Sequence, residues 1–482
     1  MNDSELLCAG AIKLAQLLRK REISPIELVD IHIDKIQKIN PMLNAIVVER
    51  FELAREEAQK AEKFLAQKKN LPPLCGVPCT IKEMFALAGF PQTAGSLHRR
   101  NARPKKDSTV VDRIRKAGAI PLGVTNVPEM GMWMETNNLV YGRTNNPYDT
   151  SRTSGGSSGG EGAIIGAACS PFSIGSDVGG SIRVPSFFCG IFGHKPTGGL
   201  VPLTGQYPPA LGKFASYCTA GPMSRTARDL MPLLQIVAGP DGEADVLDMQ
   251  LGDPQKVSFK GTRVFVCDEL RGLTSRPSPE LLAAIKRAAK VLETEGAIVE
   301  NWRSPRFSHA MEIWSALMDR GEQLSFHEQI GEGVPPPLLS EIARSLFGRA
   351  NYTFPALALS LLEKLQKIMP KQMARFKTEG DLLRKEMNSL LGENGLLVLA
   401  PHPRTAPKHN VPMLYPFDWL YTGIFNVMKL PATVVPMGLD KKGLPLGVQL
   451  VGPYGQDHIP IAAALLLEDS EGGWTAPPIA LN

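Results

Sequence analysis

Gly175-Ser-Asp-Val-Gly-Gly-Ser-Ile-Arg183 follows a short apolar run and opens a helix, and this order of strand, glycine turn and helix decides how the rest of the chain is read. Successive backbone amides in a glycine turn at a helix start form a nest for negative charge. Glycine also lets the backbone approach a substrate with no side chain in the way. Ser181 is therefore a candidate nucleophile, and the N–H groups of Val178, Gly179, Gly180 and Ser181 are a candidate oxyanion hole. Taken alone the segment reads as a plain structural turn, and its surroundings change that reading. Of the 45 residues from Gly155 to Gly199, 13 are glycine, against 45 of 482 in the whole chain. Ile164-Ile165, Ile174, Phe187-Phe188 and Ile191-Phe192 make the same segment too apolar for a flexible linker.

Outward from it, helix and strand signals alternate. Helices are predicted near 109–117, 226–238, 279–295 and 371–391, and strands at 119–124, 262–267, 297–300 and 396–400. Before them, Gly76-Val-Pro-Cys-Thr-Ile-Lys-Glu-Met-Phe85 reads as a strand ending in a loop. The first 70 residues read as helical, with Ser24-Pro25-Ile26-Glu27 in capping-box form. The alternation predicts an α/β fold, a single large, mixed, mostly parallel twisted sheet covered by helices on both faces. No repeat or low-complexity linker divides residues 1–482, so one domain is expected: N-terminal helices 1–70, a core 71–239, and a C-terminal part 240–482 with an apolar cap at 325–375.

Composition narrows the function classes. With 43% hydrophobic and 21% charged residues the chain is globular, and a net charge of +5 over 482 residues is too weak to imply nucleic acid. The basic cluster from Arg99 to Lys116 reads as a solvated loop and helix face. Seven cysteines, an odd number without CxxC pairs, fit reduced thiols in a cytoplasmic protein, and Cys75 and Cys79 lack partners for a zinc site. No run approaches a bilayer span and the N-terminus has no signal-peptide pattern, so a cytoplasmic location is expected, with membrane association allowed.

Gly156-Ser-Ser-Gly-Gly160 matches the nucleophile elbow G-x-S-x-G, but polar turn material precedes it and no histidine stands in a catalytic context. A different pattern accounts for it. Gly155-Gly-Ser-Ser-Gly-Gly-Glu-Gly-Ala163, the Gly175–Arg183 stretch and Pro185-Ser-Phe-Phe-Cys-Gly-Ile-Phe-Gly-His-Lys-Pro-Thr197 together resemble the signature of the amidase signature family. Gly76–Glu83, Thr125-Asn-Val-Pro128, Gly221-Pro-Met-Ser-Arg225 and Gly443–Gly452 extend the resemblance over nearly the whole chain. Within the family it is similar to the fatty-acid amide hydrolases, through Gly142–Tyr148, Ala406–Pro412 and Phe417–Gly423.

The resemblance implies an amide hydrolase with a Ser-cis-Ser-Lys triad. Ser181 would be the nucleophile, Ser157 the bridging serine preceding Ser158 across a cis peptide, and Lys82 the base. It implies no cofactor and no metal. A lysine base must be neutral, and at a pKa near 10.4 only about one molecule in 2,500 is so at pH 7. Burial in the apolar strand Thr80-Ile81-Lys82 supplies the required lowering, and alternation lets Glu83 face away. Asp177 and Arg183 are expected to support the loop rather than react.

Met130-Gly131-Met132-Trp133-Met134 follows the strand ending at Thr125-Asn126 and reads equally as an adaptable apolar wall for an acyl chain or as ordinary core. The expected substrate is a lipophilic small-molecule amide, and peripheral membrane contact through residues 335–369 and homodimer formation are compatible with the sequence. A broad short-chain or aryl amidase, a carbamate hydrolase, the glutaminase subunit of a tRNA-dependent amidotransferase and a catalytically silent interaction protein are the competing readings.

Overall fold

The computed structural model describes residues 1–67, 70–318, 325–345, 347–366 and 370–481. Their strands are β1 (Ile46–Glu49), β2 (Pro78–Lys82), β3 (Ile120–Thr125), β4 (Asn137–Asn138), β5 (Gly142–Arg143), β6 (Phe172–Asp177), β7 (Phe192–Lys195), β8 (Thr219–Ser224), β9 (Arg263–Val266), β10 (Ile298–Asn301), β11 (Leu396–Leu399), β12 (Ala432–Leu439) and β13 (Pro445–Val451). Eight of them form a mixed sheet in the order β10-β9-β11-β13-β12-β7-β8-β6. The fold is α/β, as the alternation implies.

The sheet is not mostly parallel. Only β10/β9 and β9/β11 pair in parallel, while the five remaining neighbours are antiparallel. The helix Arg183–Phe188 does return the chain in the same direction, but β8 inserts between β6 and β7 and runs against both. A tight turn from Asp440 to Gly443, closed by the Gly443 N–H on Asp440 O at 2.9 Å, makes β12 and β13 a hairpin. Neither insertion nor hairpin is visible in an alternation of types.

Nor is there one sheet. The lysine strand β2 belongs to a second, three-stranded sheet, β1-β3-β2, and β4 and β5 form a two-residue ladder. β2 runs beside β6, but Ser173 Oγ donates to Thr80 O at 2.9 Å, so a side chain bridges the two strands. Helices cover both faces of the large sheet. A Cβ on Gly447 would meet Phe187 of Arg183–Phe188, whereas one on Gly452 would meet Pro460 of His458–Glu471, and residues of opposite parity point to opposite faces.

The first 67 residues carry the helices Asp3–Cys8, Ala11–Arg19, Pro25–Leu43 and Phe51–Gln67 around β1. Ser24 caps the third, its Oγ accepting the Glu27 N–H at 3.1 Å. Ile33, Ile36 and Ile39 of that helix are buried. Mid-chain, Phe326–Ile330, Leu338–Ser345 and Phe354–Gln366 close a small core of their own over Ala94 and Met130.

Candidate active site

Pleating decides where β2 sends its side chains. Thr80 and Lys82 share a face, and Glu83, just past the strand end, turns away to accept the N–H groups of Thr93 and, at 2.7 Å, of Ala94. Thr80 Oγ1 donates to the buried Glu161, which also accepts Thr125 Oγ1 at 2.8 Å. Lys82 Nζ lies 2.9 Å from Ser157 Oγ, 2.8 Å from Ser158 Oγ and 2.9 Å from Ser176 Oγ, with Ser176 O at 3.3 Å. No part of Lys82 reaches solvent. Burial lowers its amine from 10.5 to about 7, partly offset by nearby Cys218, Asp177 and Glu161.

Ser157 and Ser158 sit at the start of the helix Gly159–Gly166. The peptide Gly156–Ser157 is cis, so the unusual bond precedes Ser157 instead of following it. Gly156 allows a close approach there, since a Cβ would fall 2.3 Å from Trp133 O.

Ser181 lies in the turn between β6 and Arg183–Phe188, 8% exposed, with its backbone oxygen accepting the Ser158 N–H at 3.1 Å. Asp177 ties the turn down: Oδ1 accepts the Gly180 N–H at 2.8 Å and Oδ2 the Ile182 N–H at 3.0 Å. Arg183 meets the same carboxylate at 2.9 Å with both side chains buried, and its remaining donors reach Thr422 O, Gln449 Oε1 and Asn426 Oδ1. Burial alone would raise the Asp177 carboxyl, but the Arg183 guanidinium holds it well below the usual carboxylate range. Gly180 is required in this turn, with φ at +127° and Thr422 Oγ1 only 2.1 Å from where a Cβ would be. Its amide is committed to Asp177, which removes it from the four expected oxyanion donors in this state. Among the described residues, the amides of Val178, Gly179 and Ser181 have no hydrogen-bond acceptor.

A model of the amidase family matches residues 27–459 of this chain. The chain belongs to the amidase family. Human fatty-acid amide hydrolase 2 is 41% identical to it over 98% of this chain and 91% of the relative. A glutamyl-tRNA(Gln) amidotransferase subunit of Prochlorococcus marinus is 32% identical over 91% of this chain and 92% of the relative. The solved structure of 6-aminohexanoate cyclic dimer hydrolase with its substrate superposes with a TM-score of 0.83 at 26% identity, covering 99% of this chain and all of that one. The amidase is an amide hydrolase.

The amidase has a cavity of about 720 Å³ that reaches Ser181 and the Val178–Gly180 amides. Gly131, Met132, Trp133 and Met134 line it, as the sequence predicts, but Met130 does not. With φ at +56°, Met130 turns into the small core with Ala94, Phe326 and Ile330. Beside it, Glu129 accepts the Thr353 N–H at 2.7 Å and so stitches the mid-chain helices to the loop. One of those helices supplies Phe354 to the wall, while the helix Ala310–Leu317 and the residue after it supply Met311, Trp314 and Met318, which sequence reading missed, and Trp419 stands beside Trp314. The missed hydroxyls of Ser158 and Ser176 lie on Lys82 itself. Ser158 had a signal, standing beside Ser157 in the quoted motif, and Trp419 lies in the quoted Phe417–Gly423 stretch, whereas Trp314 had none, because only the tertiary path brings it to the site. Among the described residues no group of three or more His, Cys, Asp or Glu is placed to hold a metal, and no helix is long and apolar enough to cross a membrane.

Proposed function

We propose that this amidase hydrolyses the C–N bond of fatty-acid amides, primary amides and N-acylethanolamines, through an acyl-enzyme on Ser181. A neutral Lys82 has two N–H donors and one lone pair. Ser158 and Ser176 accept the donors, leaving the lone pair for the Ser157 hydroxyl proton. Ser157 then takes the proton of Ser181 as Ser181 Oγ attacks the amide carbon. Val178, Gly179 and Ser181 amides stabilise the oxyanion, with Gly180 joining if its bond to Asp177 loosens. The proton returns through Ser157 to the leaving nitrogen, the C–N bond breaks, and water attacks the ester under the same base.

The observation that carries the substrate assignment is the apolar lining of the cavity at Ser181: methionine, tryptophan, phenylalanine and leucine from seven separate stretches of the chain. Glu363 and Lys377 are the charged residues of the lining, and Glu363 already accepts the N–H groups of Phe326 and His327, so the wall is predominantly one for an apolar chain. Support also comes from the 41% identity to human fatty-acid amide hydrolase 2. We further propose that the mid-chain helices rest on a bilayer.

The test is kcat/KM for primary amides from acetamide to oleamide, with Ser181→Ala as blank. Each methylene buried is worth about 0.8 kcal/mol, so the value should rise about fourfold per carbon until the cavity ends. A flat series that still depends on Ser181 would discard the lipid substrate and keep a short-chain amidase. Activity on no member would favour the amidotransferase reading.

A further inference from the structure

Three successive carbonyls of the turn, of which the first two precede the free amides of Val178 and Gly179, are each held by a side chain from elsewhere in the fold. Asn426 Nδ2 donates to Asp177 O at 3.0 Å, Trp314 Nε1 to Val178 O at 3.3 Å, and Thr422 Oγ1 to Gly179 O at 2.8 Å. The Val178–Gly179 peptide is trans, so its N–H points opposite to its C=O. Fixing Val178 O from the Trp314 side therefore aims the Gly179 N–H the other way, and that amide has no acceptor among the described residues.

The clamps differ in one respect. Asn426 and Thr422 are buried, whereas Trp314 is only partly buried and lines the cavity. It stands edge-on to Trp419 at 4.7 Å between ring centroids, and Trp419 in turn lies against Gly179. A chain filling the cavity thus presses on the ring whose N–H holds the loop. Building on the proposed chemistry at Ser181, we propose that Trp314 is a positioning residue, which orients the Gly179 amide and does so most fully when an apolar chain occupies the cavity. Chain binding is then expressed in the rate of the chemical step and not only in affinity, because an interaction realised at the reacting centre raises turnover.

The test uses Trp314→Phe, which keeps an apolar ring and removes the N–H, and alkyl fluorophosphonates from methyl to dodecyl, whose attack by a serine builds charge on the phosphoryl oxygen. Saturation kinetics separate the maximal labelling rate from half-saturation. In the unaltered protein the maximal rate should rise with alkyl length. In Trp314→Phe it should fall about tenfold for dodecyl, the size of one net hydrogen bond, with half-saturation within twofold and a clearly smaller fall for methyl. A circular dichroism spectrum and a cooperative melt matching those of the unaltered protein certify that the variant is folded. A dodecyl rate that does not fall, a loss confined to half-saturation, or an equal loss at every length would each overturn the inference while leaving the amide hydrolase reading intact. Failure of the unaltered protein to label would overturn both.

Discussion

Lys82 can act as a base only because of what surrounds it. Burial brings its amine to about 7, near the pH at which it must accept a proton, and three hydroxyls around Nζ fix which lone pair and which hydrogens face which oxygen. In the proposed mechanism deprotonation of Lys82 creates the base, so activity rises with pH. We expect kcat/KM to climb through a midpoint near 7 and level off above it, where an unshifted lysine would give a rise continuing toward 10. Lys82→Ala should lower kcat/KM by about 10² to 10⁴ and abolish the rise. Full activity of that variant at neutral pH would remove Lys82 from the role. Lys82, Ser157 and Ser181 could be singled out in the sequence as candidates because each sits in a short local motif. The committed amide of Gly180 and the inward turn of Met130 were not, since both depend on backbone dihedrals that composition leaves open.

Among the elements, the predicted helices and strands agree with the structure to within a few residues, because period and punctuation are local signals. Pairing order is not local. β8 between β6 and β7, and the separation of β2 from the large sheet, follow from contacts between segments tens of residues apart. The mid-chain helices carry the expected apolar character, and part of it faces outward: Leu339 is 85% exposed and Phe347 78%, while Leu346, which belongs to the same predicted apolar stretch, lies outside the described residues. Such side chains on a cap that leads to an apolar cavity suit an interfacial surface. Replacing Leu339 and Phe347 by serine should cut co-sedimentation with phosphatidylcholine liposomes severalfold while leaving acetamide hydrolysis unchanged. No co-sedimentation of the unaltered protein would end this proposal.

At the scale of the molecule, the fold gathers Lys82, Ser157 and Ser181 from three segments into one buried cluster and lays against it a wall drawn from residues 131 to 419. The glycine turns and their serines were readable from sequence because they must be contiguous to form a nest. The wall was not, because apolar residues look alike until topology selects those that meet. Asp177 and Arg183 join these two parts, the carboxylate holding the turn while the guanidinium reaches Thr422, Asn426 and Gln449 from the far strands and helices. The central claim is that a lipophilic acyl group is transferred to Ser181. Its most direct test is mass spectrometry of the protein after reaction with a long-chain alkyl fluorophosphonate. One adduct per chain on the peptide containing Ser181, absent in Ser181→Ala, is the predicted result. An adduct on any other residue, or labelling that survives Ser181→Ala, would contradict the account.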